Sequence, residues 1–455
     1  MTDQLTTFPG SFQIKQLGIY PAPNGDTNRS MIDMRNLVAS LNIVESIGNE
    51  SIRGTMDVLD SAGLLEHYPI RGEEKIYINL QDSLENEWDF HGFVYKVDNL
   101  KASDTNDKLL YRLHFVSYQR FYSDKFRITS SHNDLVSNIA SSVFSSYFKE
   151  PVSNMRNDIN KDVIVEPTEG QIRCVLPYYT PSQAMKFLES RSYSSTSATC
   201  SFRFFERPES FYFVSDEFMY RKAKEEDKIF EFTSDDNIPQ TGDTFIQRML
   251  NMNTVTNANR FDTFDDLHGG TYANKIVVMD IVNRTINLKE PAFKYTDAKD
   301  SWFRGLQDDV GVDRHTDTFI EATFTDDNAR RFVFVKDYVE DNAGQLRGEQ
   351  YIPQIASNRL SYMKHLNSIR VTSRSPGRLD ITCGDFIDLK VMDYYAAGAD
   401  KSLNKQLSGV YLVESVTRSF NTKDIYTNNY TLLKRNWNED VDTSYLTVPQ
   451  TERVG

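Results

Sequence analysis

The side chains with which this chain could do chemistry are seven histidines, three cysteines and several groups of carboxylates. No two histidines are four residues apart and no H-E-x-x-H motif occurs, so the spacing of a metalloprotease zinc site is absent from the sequence. Cys174, Cys200 and Cys383 are odd in number and far apart, which fits neither a zinc site nor a disulfide framework. We interpret them as small buried residues of a protein assembled in a reducing cytoplasm.

Clustered carboxylates occur at three places, and each cluster could act as a pair of glycosidase acids or as calcium ligands. They are Asp82 with Glu85 and Glu87, Asp308 with Asp309 and Asp313, and Asp326 with Asp327. Acidic loops are common, however, in a chain with 65 Asp and Glu against 51 Lys and Arg, a formal net charge of −14. There is also no G-x-S-x-G elbow and no P-loop. We therefore predict that the protein is not an enzyme and has no catalytic residue, no metal site and no cofactor.

The charge balance also bears on the partners of the chain. An acidic protein binds nucleic acid weakly, because neutralising phosphates requires an excess of Lys and Arg. No apolar run approaches the length of a membrane span, and Met1–Gly10 lacks the basic and apolar regions of a signal peptide. We expect no membrane insertion by this chain and no tight binding of nucleic acid.

The first part of the chain is rich in alternation of apolar and polar residues. Residues 52–58, 76–80, 93–97 and 109–115 each alternate with a period of two, which is typical of half-buried antiparallel strands. The breaks between these runs have the length of hairpin loops. The pattern predicts that residues 1–125 form an antiparallel β-barrel.

Helical spacing replaces this alternation further along the chain. Ser131, with Asp134 three residues on, resembles the start of a helix, and apolar residues follow it at helical spacing. Thr180, Pro181 and Gln183 form a clearer start, with a capping Thr, a Pro at the first helical position and a Gln at the third. We predict a helix after each of these starts.

Strands at 201–205 and 210–214 complete a small α+β domain, and strand patterns return at 275–281 and after residue 364. The expected fold class is therefore mainly β (α+β overall), with two similar antiparallel β-barrels and an inserted small α+β domain. The expected divisions are a first β-barrel at 1–125, an inserted α+β domain at 126–235, the start of a second barrel region at 236–296, an acidic insertion or irregular segment at 297–363, the remainder of the second β-barrel at 364–435, and an extended C-terminal tail at 436–455.

Two stretches that are far apart in the sequence share one pattern. Each has a turn with a glycine and an acid, then an alternating strand, and then a strand with the word V-Y-x-V followed by an acid. The matching residues are Gly72, Glu74, Val94, Tyr95 and Val97 in the first stretch, and Gly384, Asp385, Val410, Tyr411 and Val413 in the second. Strands can share such words by chance; otherwise the chain contains two related β-barrels separated in sequence by an inserted domain.

The first of these barrels resembles a known family. Residues 54–61, G-T-M-D-V-L-D-S, followed by 71–76, R-G-E-E-K-I, are similar to the first β-barrel of baseplate hub proteins from T-even-type contractile phage tails. In that family a strand led by glycine, here Gly54, ends in an Asp-Ser turn, here Asp60 and Ser61. A Gly-Glu pair then starts the next strand.

The resemblance continues along the chain in the same order. Residues 178–190 resemble the inserted domain of the family, 259–262 and 270–275 resemble the stretch leading into the second barrel, and 409–435 resembles its closing hairpin. The hub part of spike proteins in contractile injection systems is related to this family. The acidic stretch 297–350 is longer than the family core needs, and we assign it no role.

The resemblance implies a function carried by surfaces. Three hub chains form a homotrimeric ring that presents six similar barrels, so that a trimeric spike meets a hexameric tail tube. The implied partners are further copies of this chain, the tail tube protein, a spike or tail-lysozyme protein and other baseplate proteins. DNA would pass through the ring without sticking. The implied location is the tail baseplate of a virion, assembled in the host cytoplasm.

Two other classes of function stay open at this point. A tail-associated cell-wall hydrolase would need a convergent acid pair or a His/Cys metal cluster, and neither is visible in the sequence. A carbohydrate-binding adhesin would use exposed Tyr and Trp. The tryptophans, Trp88, Trp302 and Trp437, show no periodicity.

Overall fold

The computed structural model describes residues 8–20, 31–68, 70–102, 108–153, 161–197, 199–234, 245–257, 263–287, 293–294, 330–335, 338–340, 346–348, 352–366, 369–392, 403–404, 406–421 and 425–434. Within these ranges the chain is mostly antiparallel β-structure with a few helices, as the sequence predicted. None of the helices in these ranges has the length and apolar character needed to cross a bilayer.

The strands are β1 Phe12–Tyr20, β2 Ile32–Asp33, β3 Val38–Ser46, β4 Arg53–Asp60, β5 Lys75–Asp82, β6 Glu87–Ala102, β7 Leu109–Ser117, β8 Ile128–Leu135, β9 Val163–Val165, β10 Gln171–Tyr179, β11 Arg203–Glu206, β12 Phe211–Val214, β13 Ile229–Ser234, β14 Asn253–Asn257, β15 Ala273–Asp280, β16 Thr285–Asn287, β17 Phe293–Lys294, β18 Arg330–Val335, β19 Tyr338–Glu340, β20 Leu346–Gly348, β21 Ile369–Pro376, β22 Phe386–Val391, β23 Gly409–Asn421 and β24 Ile425–Lys434. The helices are α1 Leu64–His67, α2 Tyr118–Ser123, α3 Val136–Phe144, α4 Glu150–Ser153, α5 Pro181–Glu189, α6 Asp216–Glu225, α7 Phe245–Met249, α8 Thr263–Gly269 and α9 Ile352–Leu366, with a π-helical turn Ser145–Lys149 between α3 and α4.

One sheet of 13 strands dominates the described residues. Its first part, which we call the first β unit, has the order β3-β4-β7-β6-β5-β1-β2. Met56 and Val58 on β4 and Ile76, Ile78 and Leu80 on β5 are fully buried in its core. These residues confirm the alternation read from the sequence, because every second side chain of a half-buried strand faces the core.

The rest of the large sheet, which we call the second β unit, has the order β14-β21-β24-β23-β22-β13. Its own core contains Val371, Leu389, Val413 and Leu432, all fully buried. The two units are continuous, because β23 pairs with β3 through seven residue pairs from Ser415–Ser46 to Asn421–Ser40.

A third body, which we call the α+β unit, lies between these two in the sequence, at residues 128–225. Its sheets are β8 with β10, and β9, β12 and β11, while α3 and α5 cover a core rich in phenylalanine. The helix start at Thr180 is confirmed: the Gln183 N–H donates to Thr180 Oγ1 at 3.2 Å, and the Thr180 N–H donates to Gln183 Oε1 at 2.9 Å. Pro181 occupies the first helical position, where its missing N–H costs nothing.

The helix start predicted at Ser131 is wrong. Ser131 lies within β8 and pairs with Val175 of β10, and the helix begins at Val136. Residues 128–134 alternate between less exposed and fully exposed positions, as in a strand, so pairing with β10 decides their conformation and local capping propensity does not. Asp134 instead accepts a hydrogen bond from the Asn138 side chain at 3.0 Å.

Two expected boundaries also differ from the structure. β13 pairs in parallel with β22, so the large sheet begins before residue 235, where the α+β domain was expected to end. Within 297–363, expected to be an insertion or irregular, Arg330–Val335 is a strand and Ile352–Leu366 is a helix that buries Ile355 and Tyr362. Residues 297–329 and the tail 436–455 lie outside the described residues.

Candidate functional site: the junction of the three units

The strand order of the two β units is the same. The order β3-β4-β7-β6-β5-β1 in the first unit corresponds to β14-β21-β24-β23-β22-β13 in the second. The first four pairings are antiparallel in both units. The last differs, because β1 runs antiparallel to β5 while β13 runs parallel to β22. The same arrangement therefore occurs twice in one chain.

Backbone hydrogen bonds within each β unit show which residues of the two units are equivalent. The Val94 N–H donates to the Glu74 carbonyl at 2.9 Å, and the Val413 N–H donates to the Asp385 carbonyl at 2.9 Å. The register of β6 against β7 shifts just after Val94, and that of β23 against β24 shifts just after Val413. Val94 is therefore equivalent to Val413. The match with Val410, made from sequence words alone, is displaced by three residues.

The glycines and acids of the shared pattern shape the turns that open β5 and β22. Gly72 has φ of +89° and Gly384 has φ of +83°, a conformation that favours glycine. The fully buried Glu74 carboxylate accepts from the N–H groups of Arg71 at 2.7 Å and Gly72 at 2.8 Å. The Asp385 carboxylate accepts from the Thr382 N–H at 2.8 Å. Each acid thereby satisfies the backbone of its own turn.

The remaining predicted positions have structural contacts. A Cβ on Gly54 would lie 2.1 Å from Phe115 Cζ, so only glycine fits there without movement. The buried Asp60 carboxylate accepts from the N–H groups of Ala62 and Leu65 at 3.0 and 3.2 Å, and it closes the turn that contains Ser61.

The V-Y-x-V positions lie in strands β6 and β23. Val94 is fully buried, Val97 packs against the first core, and Tyr95 is 46% exposed. Val410 packs against the core between the units, and the Tyr411 hydroxyl donates to the Leu407 carbonyl at 2.6 Å. The structure therefore does not bring the predicted positions together; it distributes them over two equivalent places.

A buried ion pair marks the point where the two β units meet. Glu45 on β3 and Arg418 on β23 are both fully buried, with Arg418 Nη2 3.0 Å from Glu45 Oε1. Arg418 also donates to the carbonyls of Ile381 at 2.9 Å and Arg378 at 3.3 Å. The guanidinium thus ties two strands and the loop before β22 together.

A second charged group fastens the α+β unit to the same place. Glu206 on β11 is buried and accepts from the Ile52 N–H at 3.0 Å and from Lys161 Nζ at 2.7 Å. The next residue, Arg207, forms an ion pair with Asp385 at the turn that opens β22. These contacts join all three units, and we call this set of residues the junction.

The charges of the junction depend on one another. Burial raises the pKa of Glu45, and the guanidinium of Arg418 opposes that shift. Burial disfavours the charged form of Arg418, but the Glu45 carboxylate outweighs it, so the pKa of Arg418 lies above its ordinary value. The same balance, with Asp385 as counter-charge, raises the pKa of Arg207. The fully buried Arg418 and the partly buried Arg207 each have a carboxylate as counter-charge.

Sequence reasoning missed the junction. The sequence does contain a signal, because in each strand one inward position holds a charged residue where the pattern has apolar ones. In β3 Glu45 follows Leu41 and Ile43 at every second position, and in β23 Arg418 lies between Val416 and Phe420. All of these side chains are buried. A buried charge at such a position needs a partner, and the sequence does not say which residue supplies it.

Asp82 and Trp88, two of the residues considered from the sequence, have structural roles. Asp82 accepts from the N–H groups of Leu84, Asn86 and Leu379, and Trp88 is buried in a stack on Phe90. Across the described ranges no group of three His, Cys, Asp or Glu is placed to hold a metal ion. The acidic clusters at 308–313 and 326–327, and Trp302 and Trp437, lie outside the described residues.

Comparisons with known proteins agree with the resemblance at the level of fold. Neither a protein-family model nor a curated protein sequence matches this chain. Among solved structures, a tail protein from Neisseria meningitidis MC58 has a TM-score of 0.50 at 9% identity, covering 94% of this chain and 98% of its own. The chain therefore shares the fold of that tail protein.

Two further structures resemble the chain more weakly. The 43 kDa tail protein of prophage MuSo2 from Shewanella oneidensis has a TM-score of 0.49 at 10% identity, covering 92% of this chain and 98% of its own. An E. coli component of the type VI secretion system, described as similar to T4 bacteriophage tail proteins, has a TM-score of 0.41 at 12% identity, covering 94% and 79%.

Proposed function

We propose that this chain is a structural subunit of a contractile phage tail, namely the baseplate hub. The observation that carries the proposal is the repeat of one strand order in two adjoining β units. We infer that each unit is a β-barrel of the hub type, the first within 1–125 and the second built from β14, within 236–296, and from 364–435 together with β13. The likeness in fold to a tail protein supports this assignment.

The repeat matters because of symmetry. A hexameric tube end offers six equivalent edges, and a spike offers three. A chain with two similar units supplies six similar faces when three copies close into a ring. The junction holds the two units at a fixed relative orientation, since charged groups from all three units meet there in a buried setting. We therefore propose a homotrimeric ring with pseudo-sixfold symmetry.

The partners follow from that ring. One side would bind the tail tube protein, and the other a spike or tail-lysozyme protein, with other baseplate proteins around the outside. The chain would reside in the baseplate of the virion after assembly in the host cytoplasm. DNA would pass through the ring without tight binding, because the chain carries a net charge of −14.

Electron microscopy of the purified chain tests the ring directly. The expected class averages are closed rings with three-fold symmetry and six similar densities, and added tube protein should cap one side of each ring. A matched pair of variants separates specific from general effects. Arg418→Met at the junction should reduce ring formation, whereas Arg112→Met, in the partly exposed pair with Asp57, should not. Monomeric particles that do not bind tube protein would contradict the proposal.

Two assays address the expected absence of other activities. A low-salt gel shift should show no tight, salt-sensitive binding of duplex DNA by the assembled chain. Purified cell wall incubated with the chain should release neither sugars nor peptides. Release that disappears on mutating one specific carboxylate or histidine of this chain would replace the hub assignment with a hydrolase.

A further inference from the structure

The contact between the two β units inside one chain is a pairing of two strands. Strand β23 pairs along one side with β24, and along its other side it pairs first with β22 and then with β3. The pairing with β22 reaches Leu412, and the pairing with β3 covers Ser415–Asn421. One stretch of the second unit therefore binds the first strand in the order of the first unit.

Both strands of this contact have a counterpart in the other unit. In the shared strand order β14 corresponds to β3, and β6 corresponds to β23. Val94 on β6 is equivalent to Val413 on β23, and their strand neighbours are residues 115 and 432. Five residues before these neighbours, at 110 in β7 and 427 in β24, the partners are Lys101 and Ser419. Lys101 is therefore equivalent to Ser419.

The same count relates β14 to β3. Thr55 on β4 pairs with residue 114 and Thr372 on β21 pairs with residue 431, one before 115 and one before 432, so these two threonines are equivalent. Asn42 on β3 pairs with Thr55, and Thr256 on β14 pairs with Thr372. Thr256 is therefore equivalent to Asn42.

Hydrogen bonds just before the two strands support this correspondence. The Met34 N–H, ahead of β3, donates to the carbonyl of Leu17 on β1 at 2.9 Å. The Met252 N–H, ahead of β14, donates to the carbonyl of Thr233 on β13 at 2.9 Å. Both methionines are fully buried. In each unit the last strand of the order thus contacts the segment that leads into the first strand.

The equivalent positions differ in exposure. Asn42 and Ser419 are direct partners in the contact between the units, and both are half-buried. Their counterparts Thr256 and Lys101 are both exposed. This difference is expected if the second contact of the same kind forms between chains, since its partner strand then belongs to another copy.

A closed ring of six similar units uses one kind of contact six times, three times within chains and three times between them. We propose that β14 of one chain pairs antiparallel with β6 of the next chain, with Thr256 opposite Lys101. The contact between chains then repeats the β3–β23 contact within a chain. Each unit gives its first strand to one neighbour and its fourth strand to the other, so the ring closes. This inference rests on the proposed trimeric ring.

Disulfide trapping with Lys101→Cys combined with Thr256→Cys tests the pairing. Directly opposed residues of antiparallel strands have Cα atoms about 4.5–5.5 Å apart, a separation that a disulfide can bridge. After mild oxidation, a non-reducing gel should show linked species of two and three chains, where one chain has 52.5 kDa. Each single variant should run as one chain, because the native cysteines are buried.

Two further pairs of cysteines serve as controls. Asn42→Cys with Ser419→Cys should form a disulfide within one chain, so free thiols disappear while the mass on the gel stays that of one chain. Lys101→Cys with Thr372→Cys should form no linked chains. Thr372 lies one strand beyond Thr256, which places it about 10 Å from Lys101 of the next chain and out of reach of a disulfide. Circular dichroism checks that all variants fold.

Hydrogen exchange on the wild-type chain tests the same pairing without any substitution. A strand that is bonded to one antiparallel neighbour has about half of its N–H groups in the ladder. With β7 on one side and β14 of the next chain on the other, nearly all amides of 96–102 should exchange slowly. Mass spectrometry should find as many protected amides there as in Ser415–Asn421, about twice the number that β7 alone protects.

The outcomes separate this proposal from the ring itself. A chain with the mass of a trimer that gives no linked chains with Lys101→Cys and Thr256→Cys, and protects only half of the amides in 96–102, overturns the strand pairing and leaves the ring standing. Linked chains in the Lys101→Cys single variant would assign β6 to a symmetric contact with a second β6, which also overturns it. A chain that stays monomeric overturns both proposals.

Discussion

Replacing Arg418 by methionine would expose the role of the junction most clearly. The change leaves Glu45 buried without its counter-charge, 0% exposed and away from water. Removing one partner of a buried ion pair destabilises a protein by about 3–5 kcal/mol, because the remaining charge is neither paired nor solvated. Replacing both residues with apolar side chains of similar size removes that penalty, so Glu45→Met combined with Arg418→Met should recover most of the loss.

Hydrogen exchange followed by mass spectrometry can report this locally. A loss of about 3–5 kcal/mol at the joint between the β units should accelerate exchange of the amides in β3 and β23 by roughly two to four powers of ten, where local opening limits exchange. The partly exposed pair of Arg112 and Asp57, at 39% and 25% side-chain exposure, is the control. Arg112→Met should change stability by about 1 kcal/mol or less. If Arg418→Met accelerates exchange no more than Arg112→Met does, the junction does not hold the units together.

Three further changes test other parts of the structure. Burial raises the pKa of Glu217 from 4.5 to about 9. Between pH 4.5 and pH 9 the carboxyl group is therefore protonated in the folded chain and ionised in the unfolded chain. The free energy of unfolding should therefore fall as pH rises through that window. Urea titrations should show that Glu217→Gln reduces this fall by up to several kcal/mol, whereas Glu225→Gln, at an exposed position, does not. Calorimetry should show that Gly54→Ala is destabilising by roughly 2 kcal/mol or more, because its Cβ would lie 2.7 Å from the Asn42 carbonyl oxygen as well as against Phe115. Gly384→Ala should lower the melting temperature more than Gly72→Ala, since both have positive φ but only a Cβ at 384 would crowd the Met219 sulfur, at 2.9 Å; equal effects would contradict this reasoning.

Features set by neighbouring residues could be predicted from the sequence. The alternation in β4, β5 and β7 determines which face is buried, and the capping residues Thr180 and Gln183 start α5 as predicted. Both signals are local, because a strand repeats every two residues and a cap is complete within four. Ser131 shows the limit, since an equally local signal gave way to pairing with β10.

Features set by distant residues could not be predicted. Glu45 and Arg418 are 373 residues apart, and nothing in either strand specifies the other. The shared pattern points to two turns with positive φ, at Gly72 and Gly384, but sequence words do not fix register. Only the backbone hydrogen bonds and the register shifts after these two residues show that Val94 is structurally equivalent to Val413. The parallel pairing of β13 reverses the direction found in the first unit, and no composition rule indicates that.

The solution mass of the purified chain, measured by sedimentation equilibrium over a wide range of concentrations, tests the central claim most directly. One chain has a mass of 52.5 kDa. The hub assignment predicts a single species of about three times that mass, because obligate ring interfaces bury roughly 2,000 Å² or more and persist on dilution. A chain that keeps the mass of a monomer at every concentration would contradict the account, whatever its likeness in fold to tail proteins.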